Sequence, residues 1–397
     1  MKLLIEVKVL MKPKYIVITI LLVLLLIVPV FLYYDFLVDN HAKEAPSGLY
    51  VGVDVAYDNV AEIKLLVDEI SPYTNTIVIG STGITHNVEK LDDVCQYVYD
   101  RGMYFIIYMH PQSNPDDLAI QRQWVSDAKP RWGEYFLGLY AYDEPGGRQL
   151  DDAEYKVVED WSADNFTDAA DKFVNRLDLI LDHTIKDQIG AEDLPLFTSD
   201  YALYWFDYKA GYDVVFAEFG WNYSRHLNVA LCRGAATVQN KEWGVMITWT
   251  YTQPPYLESG SELYDDLVLA YENGAKYILV FDTNENYTHG TLKEEHLAEL
   301  KRFWQYATNN PRANDPTIDR VAYVLPKDYA YGFRGPNDTI WGLWKADNSS
   351  FRISTEVGIL IERHQNRLDI IYDDGLEADN AHGYSELVFW NGTVWTP

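Results

Sequence analysis

Between Gly48 and Pro311 the chain alternates, eight times over, a short run of β-branched and aromatic residues with a longer amphipathic stretch. The runs are Leu49–Tyr57, Thr74–Thr82, Met103–Pro111, Tyr135–Glu144, Leu196–Tyr204, Asp213–Asn222, Gly244–Thr252 and Lys276–Asp282. Stretches such as Val60–Ile70, Val88–Arg101, Ala169–Ile185, Arg225–Val238 and Leu292–Tyr306 separate them with apolar residues at helical spacing. A strand that returns through a helix pairs in parallel, so the pattern calls for an α/β fold with a parallel sheet of βα units. Eight units in about 265 residues is the size of a (β/α)8 barrel. An open doubly wound sheet is the structural alternative. No Gly-x-Gly-x-x-Gly follows the first run and no Walker A sequence occurs, so nucleotide binding lacks support.

The fourth unit is long. Gly146 to Pro195 carries two helical patterns, Asp151–Trp161 and Thr167–Lys186, one the barrel helix and the other an insertion. Beyond the barrel, assigned to residues 48–311, the pattern restarts. Arg320–Pro326, Leu368–Asp373 and Glu386–Trp390 read as strands and Ser354–His364 as a helix. Residues 312–397 are therefore expected to form a small α/β appendage with about three parallel strands.

The N-terminus bears on the compartment. Tyr15 to Tyr34 is uncharged, and twenty helical residues span a bilayer core of roughly 30 Å. Lys2, Lys8, Lys12 and Lys14 precede it, and no Lys or Arg follows until Lys43. This asymmetry places residues 1–14 in the cytoplasm, 15–34 in the membrane, and the 35–47 stalk and everything after it outside the cell. A cleaved signal peptide competes, with a shorter apolar core and a small-x-small site. Six Asn-x-Ser/Thr sequons, at Asn165, Asn222, Asn286, Asn337, Asn348 and Asn391, all lie beyond the anchor and suit an exported glycoprotein.

The formal net charge is −28, a field that repels nucleic acid and strongly anionic glycans. Cys95 and Cys232 are the only cysteines and fall on different barrel helices, so neither a disulfide framework nor a four-cysteine zinc site is expected. No cofactor is implied.

In a βα barrel the chemistry sits where the strands end. Strand parity, with residues two apart sharing a face, turns Gly52 and Asp54 inward on the first strand. It turns Tyr140, Tyr142 and Glu144 inward on the fourth and Glu218 on the sixth. By the same count His110, Asp200 and Asp282 also face the mouth. The expected result is a ring of acids: Asp54, Asp143 or Glu144, Asp200, Glu218 and Asp282. Crowded carboxyl groups push one another's pKa values apart, which supplies an acid and a base near neutral pH. Glycosidic bond cleavage needs that combination. Aromatic residues Tyr57, Tyr108, Tyr204, Trp205, Trp221, Trp249, Tyr251 and Tyr256 fall near the same strand ends. Trp205, Trp221 and Tyr251 are candidate platforms for sugar rings, while Trp249 is a packing residue by parity.

Two motifs stand out. Tyr142-Asp143-Glu144-Pro145-Gly146-Gly147 ends a strand on two acids, and Phe216-Ala217-Glu218-Phe219-Gly220-Trp221 sets one acid among aromatics. With eight βα units around them, these motifs resemble the (β/α)8 glycoside hydrolases over about two thirds of the chain. The resemblance implies an acid/base role for Glu144. It departs from the largest clan, whose nucleophile ends strand seven, because Thr248 to Gln253 holds no acid and Glu258 follows only in the loop. Glu218 is then the nucleophile or base, with Asp143 in reserve for Glu144. His110, Tyr142, Asp54, Asp200 and Asp282 join the three aromatic residues in holding carbohydrate.

A metal-dependent hydrolase would want His-x-His on the first strand, where Val53-Asp54-Val55 stands. A serine hydrolase would want Gly-x-Ser-x-Gly, which is absent. The serious rival is a glycan-binding or cell-envelope protein without catalysis. In the appendage, Arg334 and Trp341 either pack it onto the barrel or reach the mouth.

Overall fold

The computed structural model describes residues 48–151, 156–159, 162–312, 319–373 and 383–396. The anchor and stalk assigned to residues 15–47 lie outside the described residues. Among the described residues, no helix is long and apolar enough to cross a membrane.

β1 (Tyr50–Val55) leads into α1 (Val60–Ile70), and β2 (Thr76–Ile79) into the short α2 (Thr82–Thr85) and α3 (Val88–Asp100). β3 (Tyr104–Tyr108) precedes α4 (Pro115–Trp132), and β4 (Phe136–Tyr140) precedes α5 (Pro145–Asp151) and α6 (Phe166–Ile180). β5 (Leu196–Asp200) is followed by α7 (Tyr204–Lys209), and β6 (Val214–Phe219) by α8 (Arg225–Val238). β7 (Glu242–Ile247) is followed by α9 (Gly260–Glu272), and β8 (Tyr277–Asp282) by α10 (Glu294–Asn309). The eight strands close into a barrel in chain order, β8 pairing in parallel with β1. Side-chain caps start most of the helices: Asn59, Asn87, Asn114, Asn165, Ser224 and Ser259 each accept a first-turn N–H. Each cap is worth about 1 kcal/mol.

Two apolar layers hold the barrel. Val51, Val53 and Val55 pack outward in the large layer between strands and helices. The interior is a separate plug that includes Val78, Ile106, Tyr140, Phe197, Phe216, Met246, Tyr277 and Leu279. The plug fixes the phase of every strand. It bears out the inward faces expected for β1 and β6 and corrects two others. Phe197 faces inward on β5 and Leu279 on β8, so Asp200 and Asp282 point away from the interior. Parallel strands buried on both faces are apolar on both, and the sequence offers no polar side from which to count.

The insertion also differs from expectation. The helix lies at Pro145–Asp151, while Lys156–Glu159 is irregular, so no helix runs from Asp151 to Trp161. Its start is fixed by Asp200, whose carboxylate accepts the N–H groups of Gly146 and Gly147.

A second sheet follows: β9 (Val321–Leu325), then α11 (Asn348–His364), β10 (Leu368–Tyr372), β11 (Glu386–Phe389) and β12 (Val394–Trp395). β10, β9 and β11 are parallel neighbours in that order, and the two-residue β12 adds an antiparallel edge. Trp205 and Trp341 belong to the packing beneath this sheet. Trp205 is buried on α7 with its ring against Tyr372, and Trp341 is fully buried against Phe206 and Phe173. Neither reaches the mouth, contrary to the expectation for Trp205 as a sugar platform. Cys95 and Cys232 are free and buried.

Candidate active site

The C-terminal ends of β4, β5 and β6 bring together the acids that matter. β4 stops at Tyr140, and Tyr142 (φ 55°) and Glu144 (φ 50°) both adopt the left-handed backbone region. Such strain in side-chain-bearing residues persists only where the surroundings impose it. Here it breaks strand alternation. Asp143 turns to the interior, where the Tyr140 hydroxyl donates to it, while the Tyr142 ring packs on the outer layer. The Tyr142 carbonyl is pinned by the hydroxyls of Thr198 (2.9 Å) and Tyr212 (3.3 Å). Glu144 follows, and its carboxyl lies near enough to that of Glu218, which comes from β6, for each to perturb the other's ionisation. The expectation that Glu144 and Glu218 share one barrel end is met, and Asp143 joins them rather than substituting for either.

Ser199, inward on β5, ties the group together. Its hydroxyl donates to Glu218 Oε1 at 2.5 Å and lies 3.4 Å from Asp143 Oδ1. Its N–H donates to the Tyr140 hydroxyl at 3.1 Å. On β1, Asp54 is buried with Oδ1 unpartnered among the described residues. Gly80 makes room for it, since a Cβ there would sit 2.4 Å from that oxygen.

The electrostatics follow from burial. Glu144 is raised to about 7, first by desolvation and then by the neighbouring Asp143 charge. Glu218 is pushed well above the carboxylate range by desolvation and by the charges of Glu144 and Asp143. Desolvation raises Asp54 strongly, with Asp143 adding to it. Asp143 is raised less, because Tyr140, Arg148 and Ser199 favour its charged form. Two neighbouring carboxyl groups that perturb each other titrate as a unit, and the raised values of this pair favour keeping a proton near neutral pH.

The remaining expected residues sort clearly. Asp200 is fully buried and accepts N–H groups from Gly146, Gly147, Tyr201 and Ala202. A Cβ on Gly146 would come within 2.7 Å of it, so glycine is required for that approach. Asp200 therefore holds the turn behind Glu144 and has no face toward a substrate. Asp282 is likewise fully buried, bound to His289 (2.8 Å) and to the N–H groups of Thr291 and Leu292. His110 is exposed beyond β3, its ring 5.9 Å from that of His86, and lines none of the cavities described below. Tyr57, Tyr204 and Tyr256 are buried. Glu258, the acid after strand seven, is committed to Arg225 at 3.1 Å, which also holds Asp266.

Trp221 and Tyr251 are exposed, at 37% and 47%, and line one groove of ≈ 480 Å³ with Thr250 and Gln253–Pro255. Trp249 is half-buried, its indole N–H on the Thr283 carbonyl. A second cavity of ≈ 230 Å³ lies between Asn222–Ser224, Tyr201 and the appendage loop Gly332–Gly335. Arg334 lines it, held by Asp338 and Asp151, so one of the two appendage residues considered does approach this rim. The asparagines of all six sequons are exposed. Among the described residues, no cluster of three or more His, Cys, Asp or Glu side chains is arranged to hold a metal ion.

Ser199, Tyr140, Arg148 and Arg225 had no place among the expected site residues. Parity from Phe197 would have found Ser199. The arginines act across elements and leave no local signature.

The chain matches no family model and no curated protein. Its barrel is similar to solved structures at low identity. An active-site mutant of Rhizomucor miehei beta-1,3-glucanosyltransferase in complex with laminaritriose is 12% identical, with TM-score 0.38, over 63% of this chain and 95% of that one. Beta-glycosidase BGL167 is 10% identical, with TM-score 0.42, over 68% and 99%. A truncated 3-deoxy-D-arabino-heptulosonate 7-phosphate synthase from Thermotoga maritima is 10% identical, with TM-score 0.32, over 66% and 86%. Glycoside hydrolase barrels thus stand among the structural neighbours beside a barrel of unrelated chemistry. The likeness concerns architecture and assigns no family.

Proposed function

We propose that this protein hydrolyses or transfers glycosidic bonds in a neutral glycan, with Glu144 and Glu218 as the reacting carboxyl groups. The observation that carries the reading is the convergence of Glu144, Glu218 and Asp143 at one barrel end, where burial raises the pKa values of all three. The exposed Trp221 and Tyr251 supply apolar faces for sugar rings nearby. Retaining glycosidases hold such a pair ~5–5.5 Å apart and inverting ones ~6.5–9.5 Å apart, with the scissile bond between them. One group then donates a proton to the leaving oxygen and the other serves as base or nucleophile. Glu218 is the more deeply buried of the two and its pKa is raised further, which favours it as the proton donor. That reverses the assignment implied by the resemblance. Asp54 offers a further oxygen for a sugar hydroxyl. The net charge of −28 favours an uncharged glycan.

The test is turnover of neutral oligosaccharides and of aryl glycosides by wild type, Glu144→Gln and Glu218→Gln. Activated aryl groups need little protonation to leave. The variant of the proton donor should therefore keep its activity on aryl glycosides and lose it on oligosaccharides, and we expect this of Glu218→Gln. Binding without turnover by wild type would favour a glycan-binding protein.

We further propose that residues 15–34 anchor the chain with the barrel outside the cell, on the strength of the lysine asymmetry. Protease added to intact cells should then reach the barrel, and full protection would count against it.

A further inference from the structure

The loop after β6, Gly220–Ser224, lies between the two cavities. Trp221 lines one, shared with the loop after β7, and Asn222, Tyr223 and Ser224 line the other, shared with Tyr201 and the appendage. β6 pairs with β5 on one side and β7 on the other, so this loop borders the space on both sides of Glu218. Its conformation is not one it would hold unaided. Trp221 has φ 47°, in the left-handed region that is strained for a side-chain-bearing residue.

One side chain gathers this loop. Arg225 Nη1 donates to the carbonyls of Gly220 (2.7 Å) and Tyr223 (3.2 Å) and lies 3.4 Å from that of Trp221. The other edges of the guanidinium are held from behind. Nε meets Asp266 Oδ2 at 2.8 Å on α9, and Nη2 meets Glu258 Oε2 at 3.1 Å in the loop after β7. Both acids are nearly buried. All three nitrogens of the planar guanidinium are thereby engaged in different directions, which a lysine cannot imitate.

We propose that Arg225, braced by Glu258 and Asp266, is the positioning residue that sets Trp221 and Tyr223 as the two walls beside Glu218, and so determines how a glycan chain is held across the mouth. The proposal rests on the glycosidase reading for the ligand, though not for the geometry. It gives the strand-seven acid a role. Glu258 does not attack a substrate; it holds the arginine that shapes the substrate's bed.

The experiment uses the full-length chain as wild type, Arg225→Met, Arg225→Lys and Asp266→Asn. Acrylamide quenching, taken as the difference between each protein and its Trp221→Phe counterpart, reports on Trp221 alone. KM and kcat are measured on neutral β-linked glucan and mannan oligosaccharides. Arg225→Met should make Trp221 markedly more quenchable and raise KM about 10-fold or more while kcat changes less than about 3-fold. Arg225→Lys should fall between it and wild type. Asp266→Asn removes one brace and should shift both readouts the same way by less, which keeps the test decisive if Arg225→Met does not fold. Unchanged Trp221 quenching in the folded variants would overturn the proposal, as would a fall in kcat with KM constant. If wild type acts on no glycan, the glycosidase reading fails, and the quenching series still decides the clamp.

Discussion

Two clusters of buried charge lie along one stretch of chain, and they are built on opposite terms. On α8, Arg233 meets Asp369 of the appendage at 2.7 Å, Asn273 at 2.6 Å and the Leu368 carbonyl at 2.9 Å. Arg320 and Tyr384 complete the partners of Asp369. Every charge in this weld has an opposite. A few residues earlier, Glu218 ends β6 among Glu144, Asp143 and Asp54, and none of these four acids forms an ion pair with Lys or Arg among the described residues. The weld spends its buried charge on holding the appendage to the barrel. The mouth holds carboxyl groups in an environment that disfavours ionising them, an arrangement with no evident use in folding. That contrast locates the function.

The contrast can be broken first at the mouth. Glu218→Gln should lower turnover of an oligosaccharide about 10²–10⁴-fold, the range of a general acid. Steady-state kinetics on the folded variant checks this, and a change under threefold would return the mouth to the same structural standing as the weld.

The weld should answer in stability. Arg233→Met leaves the buried Asp369 with the Tyr384 hydroxyl and, as its one remaining cation, Arg320 at 3.6 Å, and should cost about 3–5 kcal/mol in denaturant unfolding. Replacing Asp369 by leucine as well should recover much of that loss, because an uncompensated charge is worse than an apolar pair.

The smallest effect has the opposite sign. Asp54, Glu144 and Glu218 all have raised pKa values in the fold, so folding favours their neutral forms. The stability they contribute is complete below the ordinary carboxyl range. It is lost as pH rises through the folded-state values, about 7 for Glu144. Asp54→Asn should therefore stabilise the protein by about 1–2 kcal/mol at pH 8 and by little at pH 4, read from melting curves at both. Destabilisation at pH 8 would mean that Asp54 is a satisfied structural acid.

The same contrast explains what the sequence could reveal. Periodicity marked all eight strands in order, because each pairs an apolar run with a helical one. Glu144 and Glu218 were legible because each sits beside strand-ending Pro-Gly or Gly-Trp residues. Asp200 and Asp282 were misjudged because strands apolar on both faces carry no phase, and only the packed interior reveals which neighbour faces in. Trp205 and Trp341 look like mouth aromatics until the appendage covers them. Arg225 and Arg233 were invisible as a class, since each joins elements far apart in the chain and nothing near them in sequence announces a partner.

The pH dependence of kcat/KM on a neutral oligosaccharide tests the central claim most directly. A carboxyl pair sharing one proton requires a bell-shaped profile, with an alkaline limb at or above about 7, where ionisation of both groups removes the acid. That limb should vanish in the variant of the donor. A profile flat from pH 5 to 9, or one left unchanged by substitution at both Glu144 and Glu218, would contradict the account.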